Sequence, residues 1–338
     1  MDFEKLARQE ILKVQPYIPG KPVEELQRER GLMSPAHANR EVYQLLKEGI
    51  KVTFRDADGV ETTETVRLVD WEHAENNDFF LASQFWVSGD LYKRRAVLVG
   101  ASGGIGSALS RKLAREGYTL ALVDRNKITL QSLSDEINQA AGEVCAVIYE
   151  HDVTDYDSVP DLLRRIIADI GGLDLFVYLA GIIYFPDINE FNFAEDRKVM
   201  EVNLLGAMAW MSEVAPLFQS AGSGQIVGVS SVAGDRGRVA NPANSTSKAG
   251  LTTYLESLRN RLTRHGVHVM TVKPGMVKTD MLRGIQKPMF PAEPEQAADL
   301  ILKGIQKRKQ TIYVTGIWRW IMLAIQHTPS FIFRRLSF

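Results

Sequence analysis

The chain has 338 residues, 45% of them hydrophobic and 24% charged, with a formal net charge of −1 and one cysteine. That length holds about two domains of ordinary size. The near-neutral balance argues against binding nucleic acid through bulk charge, and the lone Cys145 excludes a disulfide framework.

The opening MDFEKLARQE mixes charges and lacks an apolar stretch, so a helix is expected there and a secretory leader is not. Residues 2–13, 22–31 and 42–49 pattern as short helices around PYIPGKP. IKVTFRD (50–56), ADG and VETTETVRLVD (60–70) read as strand, Asp/Gly turn and strand, a hairpin. DFFLASQFWV (78–87) reads as one more strand. Residues 1–92 are therefore expected to form a small α+β extension without catalysis of its own.

The texture changes at residue 93. Apolar strands are predicted at 96–100, 119–123, 144–149, 173–180, 224–230 and 267–272, with helices at 107–117, 127–142 and 157–171 and further helical segments between the later strands. Near-continuous apolar strands alternating with helices predict an α/β fold, a Rossmann-type doubly wound parallel sheet over residues 93–338. Cys145, inside an apolar strand, is expected to be a small buried hydrophobe, and one cysteine fits a reducing, cytoplasmic setting.

VLVGASGGIGSAL (97–109) places Gly100, Gly104 and Gly106 between a strand and a helix. Glycine there lets the backbone turn sharply and lets a pyrophosphate approach the helix N-terminus, where free N–H groups and the helix dipole favour negative charge. The loop Gly100, Ser102, Gly103, Gly104, Ile105 and Gly106 is thus a candidate dinucleotide cradle; a purely structural turn is the alternative. Asp124 ends the next strand, where a carboxylate accepts the ribose hydroxyls of NAD and repels the extra phosphate of NADP. Arg125 beside it would favour NADP. Asp152, after the third strand, would either contact the adenine or cap the helix that follows. On a helix starting near 241, Asn244 and Lys248 share one face.

Taken in order, G100-x-x-x-G104-I105-G106, D152-V153, A180-G181, V202-N203-L204, S230-S231, the serine-to-lysine spacing and P274-G275-M276-V277-x-T279 resemble the short-chain dehydrogenases/reductases from about Ala96 to Thr279. The resemblance implies hydride exchange between nicotinamide and a small-molecule ketone or secondary alcohol, in a protein that usually self-associates. It gives Ser231 the substrate oxygen, Lys248 the cofactor ribose and the lowering of an acid's pKa, and Asn203 a water in the proton relay. It places Val153, Ala180, Gly181, Pro274, Gly275, Val277 and Thr279 along the cofactor, with Gly181 beneath the nicotinamide ribose and Thr279 at the carboxamide.

The chain departs from the family at one chemical position. The family's tyrosine lies thirteen residues after the serine and four before the lysine, and both counts land on Asn244. An amide donates a hydrogen bond but has no proton to give. Turnover is expected to suffer and cofactor binding is not. Tyr178-Leu179 in place of Asn-Asn, and Val99 in place of threonine, are expected to be tolerated.

SSVAGDRGRVANP (230–242) and the tail resemble the branch acting on lipid-linked keto-sugars. Asp235, Arg236 and Arg238 would then meet a phosphate; a solvated loop with an internal ion pair is the alternative. The tail TGIWRWIMLAIQHTPSFIFRRLSF mixes aromatic and basic residues, which suits either a core or dimer contact or a peripheral membrane surface. At the front, residues 4–32 resemble the opening of histidinol-phosphate aminotransferases, and residues 39–95 that of type I restriction endonuclease R subunits. The six histidines show no metal-ligand spacing, and no metal is expected.

Overall fold

The computed structural model describes residues 50–55, 61–66, 94–282 and 288–335. The helices predicted at 2–13, 22–31 and 42–49 and the strand at 78–87 lie outside the described residues. The hairpin is present: β1 (Ile50–Arg55) pairs antiparallel with β2 (Glu61–Val66), Ile50 opposite Val66 and Arg55 opposite Glu61.

From Arg94 the chain alternates strand and helix. β3 (Arg95–Val99), β4 (Thr119–Asp124), β5 (Ala146–Glu150), β6 (Leu175–Tyr178), β7 (Gln225–Val229), β8 (His268–Pro274) and β9 (Thr311–Val314) form one seven-stranded parallel sheet in the order β5-β4-β3-β6-β7-β8-β9. Period-two alternation sends Ala96, Leu98, Leu120, Leu122, Leu175 and Val177 to one face and Val97, Val99, Ala121, Val123, Phe176 and Tyr178 to the other. Both faces are buried, which is why the strands read as continuous apolar runs.

Helices α1 (Gly104–Arg115), α2 (Lys127–Ala141) and α7 (Pro294–Gln306) cover the first face through Leu109, Leu113, Leu130, Leu133 and Ile301. The second face is covered by α3 (Val159–Ile170), α5 (Gly206–Ala221) and α6 (Pro242–Leu262) through Ile166, Trp210, Met211, Phe218, Leu251 and Leu255. A short helix, α4 (Phe193–Met200), runs into α5 through a π-turn at Glu201–Leu205. Local signals set the ends. Asn126 caps α2 by accepting from the Thr129 amide, and Gly142 stops it at φ 72°.

The entry to the sheet is bolted. Arg95 is buried and donates from Nε to Asp174 at 2.7 Å, and its Nη1 donates to the Gly171 carbonyl. The strand at 311–314 is an addition to the predicted set: TIYV is four residues at the sheet edge, with Thr311 exposed and only Val314 fully buried. After it come α8 (Ile317–His327) and the short α9 (Ser330–Phe333).

Candidate functional site

The strand order reverses between β3 and β6, the position where an open parallel sheet leaves a crevice at its carboxyl edge. β3 exits through Gly100, whose φ of +89° favours glycine. A Cβ there would stand 2.4 Å from the Ala180 amide nitrogen after β6, and one on Gly106 would stand 2.2 Å from the Gly100 carbonyl. Gly104 lies against Thr279, to whose Cγ2 a Cβ would approach within 2.5 Å. Gly103 is different: it is exposed and its nearest neighbour is the Gly100 carbonyl, 3.6 Å away. Gly103 is the N-cap position of α1, which has no side-chain cap and no acid in its first turn. An uncapped helix start of this kind favours negative charge. Ile105 packs against the core instead.

Asp124 reaches back to this loop. Its Oδ2 accepts from the Ser102 amide at 3.1 Å and its Oδ1 from the Arg125 amide at 2.8 Å. Arg125 itself is exposed. Asp152 folds onto its own loop, accepting from the Thr154 amide and hydroxyl, which hold its carboxyl below the usual carboxylate range. It does not cap α3, whose N-cap is Ser158. Val153 is buried beside Gly206.

On the other side of the crevice three predicted residues converge. A Cβ on Gly181 would lie 3.2 Å from Asn203 Oδ1 and 3.4 Å from Lys248 Nζ. Asn203 is fully buried in the π-turn; its Oδ1 accepts from the Ile182 amide at 2.8 Å, and its Nδ2 donates to the Ile182 carbonyl and to Ser247 Oγ. Lys248 Nζ donates to the Val229 carbonyl at 3.0 Å, and burial pulls its pKa down to about 8. Asn244 is buried one turn earlier on α6, and its side-chain amide has no hydrogen-bond partner among the described residues. Ser230 ties the serine segment to α6 by donating to the Lys248 carbonyl at 2.8 Å. Ser231 Oγ accepts from the Ala233 amide at 3.0 Å and donates to the Pro274 carbonyl at 3.4 Å. Val277 is buried and bridges to Ala292.

The structure corrects the reading of the loop at 235–238. Asp235 pairs with Lys273 of β8, not within its own loop. Arg236 donates to the Ile325 and Thr328 carbonyls at the end of α8 and lies 3.9 Å over the Phe333 ring. Arg238 donates to Met322 Sδ at 3.4 Å. These arginines therefore seat the tail. Trp318 and Met322 of α8 are buried with Val232, and Trp318 lies directly on Gly275. The opposite side of α8 exposes Trp320 and Leu323, and no helix among the described residues is long and apolar enough to cross a membrane. His268 is half-buried and contacts the Lys309 carbonyl. The reading by sequence missed the tail's approach to Gly275; glycine at that position, followed by an amphipathic tail rich in tryptophan, was the available signal.

A family model described as short chain dehydrogenase matches residues 94–289. One described as the N terminus of type I restriction enzyme R protein matches residues 2–105; it spans the 4–32 stretch too, where the aminotransferase likeness has no support. An uncharacterized oxidoreductase of Myxococcus xanthus is 39% identical over 213 residues, covering 63% of this chain and 83% of the relative. The ketoacyl reductase HetN of Nostoc is 28% identical, covering 65% of this chain and 78% of that protein. Among solved structures, levodione reductase aligns with a TM-score of 0.62 at 22% identity, over 67% of this chain and 97% of its own. An actinorhodin polyketide ketoreductase solved with NADPH aligns with a TM-score of 0.60 at 24% identity, over 66% and 95%.

Proposed function

The chain belongs to the short chain dehydrogenase family of NAD(P)-dependent oxidoreductases, and from that premise we propose that it moves a hydride between the dinucleotide and the carbinol carbon of a secondary alcohol or ketone, with Asn244 standing where an acid is needed. The observation that carries this reading is the convergence of Gly181, Asn203 and Lys248 at the carboxyl edge of the sheet, with Asn244 one helical turn before the lysine.

The residues present fit the cofactor. The uncapped start of α1 would hold the pyrophosphate, Asp124 the adenosine ribose, and Gly181, Lys248 and the Pro274–Thr279 segment the nicotinamide half. When bound, NAD(P) supplies or accepts the hydride. Ser231 and the Asn244 amide would donate hydrogen bonds to the substrate oxygen as charge grows on it. The buried Lys248 ammonium, held on the Val229 carbonyl, would add a positive field there. The amide releases no proton, so turnover is low while cofactor binding persists.

We favour NAD over NADP, because a 2′-phosphate beside the Asp124 carboxylate sets two anions together. The test of the reaction is Asn244→Tyr, assayed against the parent chain with a panel of ketones. Restoring a positioned acid is expected to raise turnover by roughly 10²–10⁴-fold. An inert Tyr variant that still binds NADH would instead support a dinucleotide-binding protein without a reaction.

A further inference from the structure

Asp235 ends the turn that Ser231 begins. Its side chain is 1% exposed and that of its partner Lys273 is 11% exposed. Oδ1 accepts from Lys273 Nζ at 2.5 Å, and Oδ2 accepts from the Tyr313 hydroxyl at 3.0 Å. Lys273 and Tyr313 are register partners on β8 and β9. Lys273 directly precedes Pro274, the residue whose carbonyl receives the Ser231 hydroxyl. Three segments distant in sequence therefore meet on one carboxylate.

A buried ion pair is a weak source of stability, since apolar residues of similar volume often do as well. What it supplies beyond packing is direction: the carboxylate fixes both partners in angle and distance. We propose that Asp235 is a positioning residue, locking the Ser231 turn to the root of the Pro274–Thr279 segment so that the serine and the nicotinamide-holding backbone keep one relation. This rests on the cofactor reading above. The tail backs both ends of the link, Arg236 through the carbonyls at the end of α8 and Trp318 through its seat on Gly275.

The test separates the two halves of the cofactor. NADH and ADP-ribose, which lacks the nicotinamide ring, are titrated calorimetrically into the full chain, into Asp235→Asn, and into the double variant Asp235→Leu with Lys273→Met. The double variant removes both charges and leaves no stranded lysine, so it keeps the question open to measurement if the single variant fails to fold. The expected result is an NADH affinity lowered by about tenfold or more in the variants, with ADP-ribose affinity within about twofold of the parent. Equal losses for both ligands, or no loss for NADH in the double variant, overturns the positioning role. A parent chain that binds neither ligand overturns the cofactor reading, and the inference falls with it.

Discussion

The two sides of the crevice are built on different principles. The glycine-loop side, from β3 to the start of α1, works through backbone: an uncapped helix start at α1, a positive φ at Gly100, and Gly100 and Gly106 admitted because neighbouring backbone leaves no room for a Cβ. The reacting side works through side chains gathered from Asn203, Ser231, Asn244 and Lys248, each on a different segment or turn. A single substitution on the reacting side removes a chemical group and leaves its scaffold standing. At Gly100 or Gly106 a single substitution displaces backbone. On the proposed function, this difference is how a chain would keep a dinucleotide cradle while carrying the Asn244 amide in place of an acid.

The largest effect that sharpens the contrast is expected at Gly100. Alanine there meets the Ala180 amide nitrogen and an unfavourable φ, so Gly100→Ala should cost roughly 3 kcal/mol and lower NADH affinity along with stability. Denaturant unfolding and NADH titration on the same preparation check it; full stability with weakened binding would break the claim that the loop is set by backbone contact.

Lys248 gives the next effect, and its sign is opposite to that of a paired lysine. Burial lowers its folded pKa to about 8, so the unfolded chain holds a proton that the folded chain releases between that value and the usual lysine range near 10.4. Stability should therefore rise with pH across that window, by at most roughly 3 kcal/mol, and the rise should vanish in Lys248→Met. Parallel slopes for parent and variant between pH 8 and 10 would contradict the placement of the ammonium. The smallest effect is expected at Asp124. Removing its carboxylate in Asp124→Ala should shift the NADH-to-NADPH affinity ratio toward NADPH by about tenfold, or about 1.4 kcal/mol. An unchanged ratio would mean that its bond to the Ser102 amide is its whole role.

What the sequence made legible follows the same division. The buried strands and the glycine loop could be read because each is a local pattern: an apolar run ending in glycine, followed by a helical period. Asn244 could be placed by counting from Ser231 and Lys248. The partners of Asp235 could not, because Lys273 is 38 positions away and Tyr313 is 78, and no periodicity connects them. The strand at Thr311–Val314 escaped because it is short and lies at the sheet edge. The π-turn carrying Asn203 has no signature in residue type; it arises where α4 runs on into α5 beneath Ile182.

The central claim is that Asn244 replaces the acid alone. Its most direct measurement is NADH affinity and ketone turnover determined together on the parent chain and on Asn244→Tyr. The account predicts affinities equal within about twofold and turnover at least about a hundredfold higher in the variant. Turnover that stays at the parent level while NADH still binds would contradict it.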